Sequence, residues 1–406
     1  VEKESGGSAM NSGLSQTRLE RMHSVMAGYV ERGEVPGIVT LVYRRGEVHA
    51  EALGTLTIGG GPVRRDSIFR IASMTKPVIA AAAMILVEEC RLRLDDPVDS
   101  LLPELADRRV LRRLDGPVDD TVQANRPITL RDLLTFRLGF GAVMAPPGTY
   151  PIQQAIAEAG LEPSPTPPAV TPDKWMKRLG QLPLLHQPGE GWLYHTGSDI
   201  LGVLIARASG QGLEAFLKER LFDPLGMKDT GFHVPAAQAD RLSAAYARDP
   251  ETGGLRVFDD PQDSAWTQPP VFASGGGGLV STADDYLAFC RMLLGRGRLG
   301  RERILSRSAV ELMTADHLTA EQKEAARPFF GGHSGWGFGG AVNLRRTELW
   351  QTPGRFGWDG GFGTSGYTDP QEDLVGILLT QRMMESSKGP RVFTDFWTSV
   401  YQAIED

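Results

Sequence analysis

Ser73 and Lys76 lie three residues apart in the stretch Phe69-Arg-Ile-Ala-Ser-Met-Thr-Lys-Pro77. If a helix begins near Ser73, that spacing puts the hydroxyl and the amine on one face, where they meet without help from tertiary structure. Pro77 suits a first helical turn, because its missing N–H is an orphan donor there in any case. The chemistry open to such a pair is nucleophilic: a serine attacks while a lysine, its pKa lowered by burial, takes the proton. An S-x-x-K tetrapeptide is expected about once by chance in a chain of this size, so the remaining sequence must support it.

Other chemistries find less support. The seven histidines, His23, His49, His186, His195, His233, His317 and His333, show no H-E-x-x-H or H-x-H spacing, so no metal is expected. Cys90 and Cys290 sit in amphipathic helical patterns and read as two small buried hydrophobes rather than a disulfide or thiolate site. Two G-x-G-x-x-G strings, at 335–340 and 361–366, are followed by strand-like residues instead of a helix, which favours tight turns over a dinucleotide site. With no Walker lysine and no G-x-S-x-G elbow, no cofactor is expected and the α/β-hydrolase fold is disfavoured. A net charge of -7 with scattered Lys and Arg argues against nucleic acid. The longest apolar run, 78–87, ends in Glu88-Glu89 and reads as a core helix, not a membrane span. Residues 1–9 lack the basic and apolar regions of a signal peptide and read as an added or disordered segment before Met10. The expected location is cytoplasmic, unless an N-terminal segment has been removed.

The elements that must position Ser73 follow from periodicity. With 406 residues, 41% of them hydrophobic, the chain can bury two cores. Apolar spacing predicts a helix from Leu19 to Val30, and a β-branched run over 37–43, a turn at 44–46 and a return over 48–56 predict a hairpin. The helix after Ser73 closes at Arg91-Leu-Arg-Leu-Asp-Asp-Pro97. Residues 98–270 read as a helical insertion whose proline-rich stretch, 145–172, is either a cleft wall or a solvated loop. Tyr194 falls where a loop meets the apolar helix 200–208, and Thr282 reads as the N-cap of 284–294. Strands over 335–340, 348–352, 363–368 and 374–380 and a helix over 390–404 complete the chain. The expected fold is α+β. An α/β sandwich built from 10–97 and 271–406 holds an antiparallel sheet flanked by the N- and C-terminal helices, with the helical domain 98–270 inserted and the active site between them.

Three motifs stand in a telling order: Ser73-x-x-Lys76, Tyr194-His195-Thr196 and Trp358-Asp359-Gly360. This is the order of S-x-x-K, Y-x-N and K-T-G in class C serine β-lactamases and penicillin-binding proteins, and nearly the whole chain resembles that superfamily. Leu94-Asp-Asp-Pro97, Leu130-Arg-Asp-Leu-Leu134, Pro224-Leu-Gly-Met227 and 278–284 look like it as well. Trp358 replaces the lysine that would meet a β-lactam carboxylate, and Thr196 replaces the asparagine amide. The W-x-G form is similar to family VIII carboxylesterases, which keep the β-lactamase-like fold and cleave short-chain esters.

That resemblance implies an acyl-enzyme on Ser73, with Lys76 or Tyr194 as general base and an oxyanion hole at the backbone N–H groups of Ser73 and Gly361. It also implies Trp358, Asp359, Gly360 and Thr196 around the substrate. Trp358 is otherwise a core aromatic. His195 reads as structural or cleft-lining, and Asp199 as a helix cap or a support of the catalytic network. The implied partner is a small-molecule ester. A β-lactamase, a D-alanyl-D-alanine carboxypeptidase, an acyltransferase and an inactive binding protein of the same fold are the alternatives. Nothing in the chain marks an oligomeric state.

Overall fold

The computed structural model describes residues 12–406, so the expectation for residues 1–9 lies outside the described residues. Strand β1 (Gly37–Arg44) is buried along its whole length. Successive side chains of a strand point to opposite faces, and here each face meets its own core. Val39, Leu41 and Tyr43 enter one, Ile38 and Val42 the other. The return strand β2 (Glu47–Gly54) pairs with it across the Arg45-Gly46 turn, as the sequence predicts. The remaining strands come from the C-terminal third: β3 (Ser334–Trp336), β4 (Ala341–Asn343), β5 (Phe356–Gly360), β6 (Thr364–Asp369) and β7 (Leu374–Thr380). They form one antiparallel sheet in the order β3-β4-β5-β6-β7-β1-β2, closed by β7 against β1.

Helix α1 (Gln16–Glu31) covers one face of the sheet with Leu19, Met22, Met26 and Tyr29, beside the C-terminal helix α5 (Arg391–Gln402) with Phe396, Trp397 and Val400. The other face carries α2 (Thr75–Glu88) and α4 (Ala283–Leu294), and α3 (Thr196–Ser209) lies beyond α2 in the insertion. Residues 75–86 of α2 are all buried. A helix apolar all round belongs inside a protein, and α2 packs on α3 across the boundary between the sheet layer and the helical insertion. Thr282 caps α4 by accepting a hydrogen bond from the Asp285 N–H at 3.2 Å.

Two expectations are corrected, and the mostly helical insertion gains detail. Residues 348–352 form no strand, because the polar run Arg345-Arg-Thr-Glu348 and the turn at Pro353-Gly354 leave them outside the ladder, with Gln351 bonded to Thr347. β4 and β5 pair instead. The insertion is mostly helical but also holds two small hairpins, Arg109–Leu111 with Thr121–Gln123 and Ala245–Arg248 with Leu255–Asp259. Cys290 is buried as expected, whereas Cys90 is exposed, because α2 has ended and Cys90 turns away at a φ of 59°.

Candidate active site

Ser73 lies in a single 3₁₀ turn, Ala72–Met74, that feeds α2. Ala72 just before it holds a left-handed φ of 45°, a conformation costly for a residue with a Cβ and found mostly where function over-determines it. The turn is pinned from outside. The Ile71 carbonyl accepts from Thr364 Oγ1 of β6 at 3.2 Å, and the Met74 carbonyl accepts from Tyr286 OH of α4 at 3.2 Å.

Lys76 Nζ lies 2.8 Å from Ser73 Oγ, as the i, i+3 spacing requires. Its side chain is fully buried, and two further groups surround the nitrogen: the Gly276 carbonyl and His195 Nδ1, the latter at 3.3 Å. Burial lowers the Lys76 pKa to about 7, the nearby Asp199 carboxylate opposing it. At neutral pH a large fraction of Lys76 is therefore a free amine beside the serine hydroxyl.

Tyr194 reaches the same point from the insertion. Its hydroxyl shares a hydrogen bond with Ser73 and accepts one from Trp358 Nε1 at 2.6 Å. Burial raises its pKa to about 12, against the pull of those two bonds, so the phenol stays protonated at physiological pH. Lys76 Nζ sits over the Tyr194 ring, 4.6 Å from its centre. Trp358 continues the wall, its ring centre 4.8 Å from that of Trp336 and 5.8 Å from that of Tyr194. The indole is thus both a core aromatic and a neutral donor to Tyr194. That donation was not foreseen, although tryptophan is the one hydrocarbon-rich side chain with an N–H to give.

Behind Lys76 stands a polar cluster from the insertion. His195 forms the centre of a γ-turn, with φ 82°, ψ −67° and the Thr196 N–H donating to the Tyr194 carbonyl at 3.2 Å, the strained form of that turn. Its Nε2 lies 3.2 Å from Asp199 Oδ2. Asp199 does not cap the helix, as one sequence reading had it. It sits inside α3 and accepts from Ser274 Oγ at 2.7 Å and from the Gly276 N–H at 2.9 Å. Burial alone would raise its pKa, but the bonds from His195, Ser274 and Gly276 outweigh it and keep Asp199 ionised. Burial first, and the neighbouring Lys76 second, depress His195, which is therefore neutral at pH 7. Sequence reasoning missed Ser274 and Gly276. The signal was the glycine run 275–278, since a Cβ on Gly276 would press on His195 Nε2 and Asp199 Oδ2.

A cleft of about 1170 Å³ opens over this group, with Ser73, Tyr194, Trp358, Asp359 and Gly361 on its lining. Asp359 belongs to its margin. It accepts from Ser365 Oγ at 2.6 Å, and burial, opposed by that bond and by Arg355, raises its pKa to about 6. Two expected substrate contacts are corrected. Gly360 is buried against the loop before the nucleophile, and its missing Cβ makes room for the Ile71 carbonyl rather than for substrate. Thr196 starts α3 behind His195 and lines a separate cavity of about 270 Å³, walled by 160–169. The proline-rich stretch therefore closes this rear cavity, while the short helix Arg327–Phe330 and residues 384–389 flank the cleft.

Comparison with known proteins agrees with this architecture. The family model described as Beta-lactamase matches residues 22–392. Protein Rv1367c of Mycobacterium tuberculosis is 38% identical over 369 residues, covering 88% of each chain. Esterase EstB of Burkholderia gladioli is 30% identical over 394 residues, covering 91% of this chain and 92% of its own. Among solved structures, EstCE1, described as a hydrolase with promiscuous acyltransferase activity, superposes with a TM-score of 0.79 at 26% identity, covering 95% of this chain and 99% of that one. With its antiparallel sheet between terminal helices, its inserted helical layer and these similarities over most of its length, the chain belongs to the β-lactamase family and, within it, is similar to the family VIII-like esterases.

Proposed function

We propose that the protein is a serine esterase that cleaves short-chain carboxylic esters of small molecules through an acyl-enzyme on Ser73. The observation that carries this reading is a nucleophile, base and acid gathered with Trp358, where a β-lactam enzyme has a lysine, bonded to Tyr194. An ester needs no ammonium to hold a carboxylate, whereas a β-lactam does.

Free-amine Lys76 takes the proton of Ser73 Oγ as that oxygen attacks the ester carbonyl carbon. The oxyanion is held by the N–H groups of Ser73 and Gly361, each such donor contributing roughly a hundredfold in rate. As the C–O bond to the alcohol breaks, Tyr194 gives its proton to the leaving oxygen and is reprotonated from the Lys76 ammonium. Water then enters and loses a proton to Lys76 as its oxygen bonds the acyl carbon, and as the bond from that carbon to Ser73 Oγ breaks, Lys76 returns the proton to Oγ and the acid is released. Tyr194, with a pKa of about 12, acts here as acid and relay rather than as the first base.

Ser73→Ala is expected to abolish hydrolysis of p-nitrophenyl acetate and butyrate with the fold intact by circular dichroism. Nitrocefin turnover should stay far below ester turnover. Nitrocefin turnover equal to ester turnover would move the assignment to a β-lactamase, and full ester turnover by Ser73→Ala would remove Ser73 from the chemistry. A second reading, acyl transfer, is supported by the similarity to EstCE1 and by a cleft of about 1170 Å³, roomy enough for an alcohol beside the acyl group. Adding a primary alcohol to the assay and measuring ester product against free acid discriminates the two.

A further inference from the structure

Lys76 Nζ has three polar neighbours, Ser73 Oγ at 2.8 Å, His195 Nδ1 at 3.3 Å and the Gly276 carbonyl. A free amine has two N–H bonds and one lone pair to share among them. The Gly276 carbonyl can only accept, so it takes one N–H. The role of His195 Nδ1 is decided at the other end of its ring. Nε2 lies 3.2 Å from Asp199 Oδ2, and Asp199 Oδ1 already accepts from Ser274 Oγ and the Gly276 N–H. A carboxylate so placed can only accept, so the ring proton sits on Nε2 and Nδ1 carries a lone pair. Nδ1 then takes the second N–H of Lys76, and the amine lone pair is left facing the Ser73 hydroxyl.

We propose that His195 and Asp199 are positioning residues which, by fixing the imidazole tautomer, aim the lone pair of Lys76 at Ser73. This rests on the esterase reading above and adds to it. The proton balance closes without any outside group. When the Ser73 O–H bond breaks, the proton completes an ammonium with three N–H bonds for three acceptors: the Gly276 carbonyl, His195 Nδ1 and the reacting oxygen. When the leaving alcohol departs, that proton passes out through Tyr194 and the amine returns to its starting pattern. With the opposite tautomer, Nδ1–H would donate to the lone pair and compete with Ser73. Asp199, carried by α3 and held by the 274–276 turn, prevents this. The rear cavity of about 270 Å³ touches His195, Asp199 and Ser274 on the side away from the cleft, so a small heterocycle can reach the imidazole position without blocking substrate.

The test uses the burst of p-nitrophenol from a p-nitrophenyl ester, which reads acylation directly. His195→Gly suits the backbone, since glycine tolerates a φ of 82°. It is expected to slow acylation at least a hundredfold with thermal stability retained. Imidazole supplied in solution should restore a substantial part of the rate. 1-Methylimidazole, which has no N–H for Asp199, should not. His195→Asn places a carbonyl oxygen near the position of Nδ1 and is expected to lose less than tenfold, while Asp199→Asn frees the wrong tautomer and should lose a hundredfold or more. Wild-type acylation in His195→Gly overturns the proposal, as does a loss that neither imidazole nor the Asn variant relieves, or equal rescue by 1-methylimidazole. If Ser73→Ala still gives a burst, the esterase reading itself has failed. If Ser73→Ala is silent and His195→Gly is not, only the positioning role has.

Discussion

A lysine kept as a free amine at neutral pH is what Ser73 needs and what folding resists. The unfolded chain binds a proton at Lys76 up to about pH 10.5, the folded chain only up to about pH 7. A base with a depressed folded pKa contributes its full stability above the unfolded value and loses it as pH falls toward the folded one. Between pH 10.5 and pH 7 the site therefore costs stability progressively, on the order of a few kcal/mol at the lower end. Lys76→Met should accordingly be inactive yet more stable than wild type in urea denaturation at pH 7, with the gap narrowing as pH rises toward 10. In the wild type, kcat/KM should climb through about pH 7 as Lys76 loses its proton, with no alkaline fall from Tyr194 below pH 10 because its pKa is about 12. At Trp358 the ring and the N–H separate experimentally. Trp358→Phe keeps the aromatic wall, removes the 2.6 Å bond to Tyr194 and is expected to lower kcat about tenfold with little change in KM.

Among the elements, the 3₁₀ turn before α2 is the most constrained, because it must present Ser73 between two layers. β5 approaches it so closely that only glycine fits at 360: a Cβ there would run into the Ile71 carbonyl and Thr364 Oγ1. Gly360→Ala is expected to cost about 1–3 kcal/mol and, by displacing Ile71, to lower kcat for esters. A denaturant melt and a burst assay on the same sample separate the two effects. The γ-turn at His195 is the corresponding device in the insertion, turning Tyr194 toward the cleft and His195 toward Lys76 within two residues. Around them Phe136, Trp192, Trp336 and Phe330 form an aromatic cluster joining the insertion to β3, so the two layers that share the site are packed to each other beside it.

In the whole molecule both ends of the described chain converge on one sheet. Arg44, almost completely buried at the end of β1, donates to Asp406 Oδ1 at 2.6 Å, to the Ser12 carbonyl at 2.8 Å and to the Glu372 carbonyl at 3.1 Å. It ties the first strand to Ser12 at the start of the described residues, to Asp406 and to the turn between β6 and β7. Arg44→Ala removes these bonds at the end of the sheet opposite Gly360 and Thr364, which meet the turn holding Ser73, leaving buried carbonyls unpaired at about 1–3 kcal/mol each. The urea midpoint should fall while kcat per folded molecule stays at the wild-type value. A matching fall in kcat would show that the terminal layer also shapes the cleft.

Much of this was legible without coordinates because it is local or periodic. The S-x-x-K pair needs only one helical turn, the hairpin of β1 and β2 needs alternation and a glycine turn, and the all-apolar α2 can only be interior. The order of the three motifs, read with the family resemblance, pointed to Tyr194 for the chemistry and Trp358 for the substrate, although 121 and 285 residues separate them from Ser73. What the sequence could not contain was direction. Whether Trp358 faced substrate or Tyr194, whether Thr196 faced the cleft or the cavity behind it, and whether Asp199 capped its helix or held His195 all depend on how three separate segments rotate about Lys76 as they pack. Gly276 joins that group from 200 residues away, through a carbonyl that any residue carries. Backbone groups leave no trace in residue type, so only the tertiary structure could decide how the lysine is surrounded.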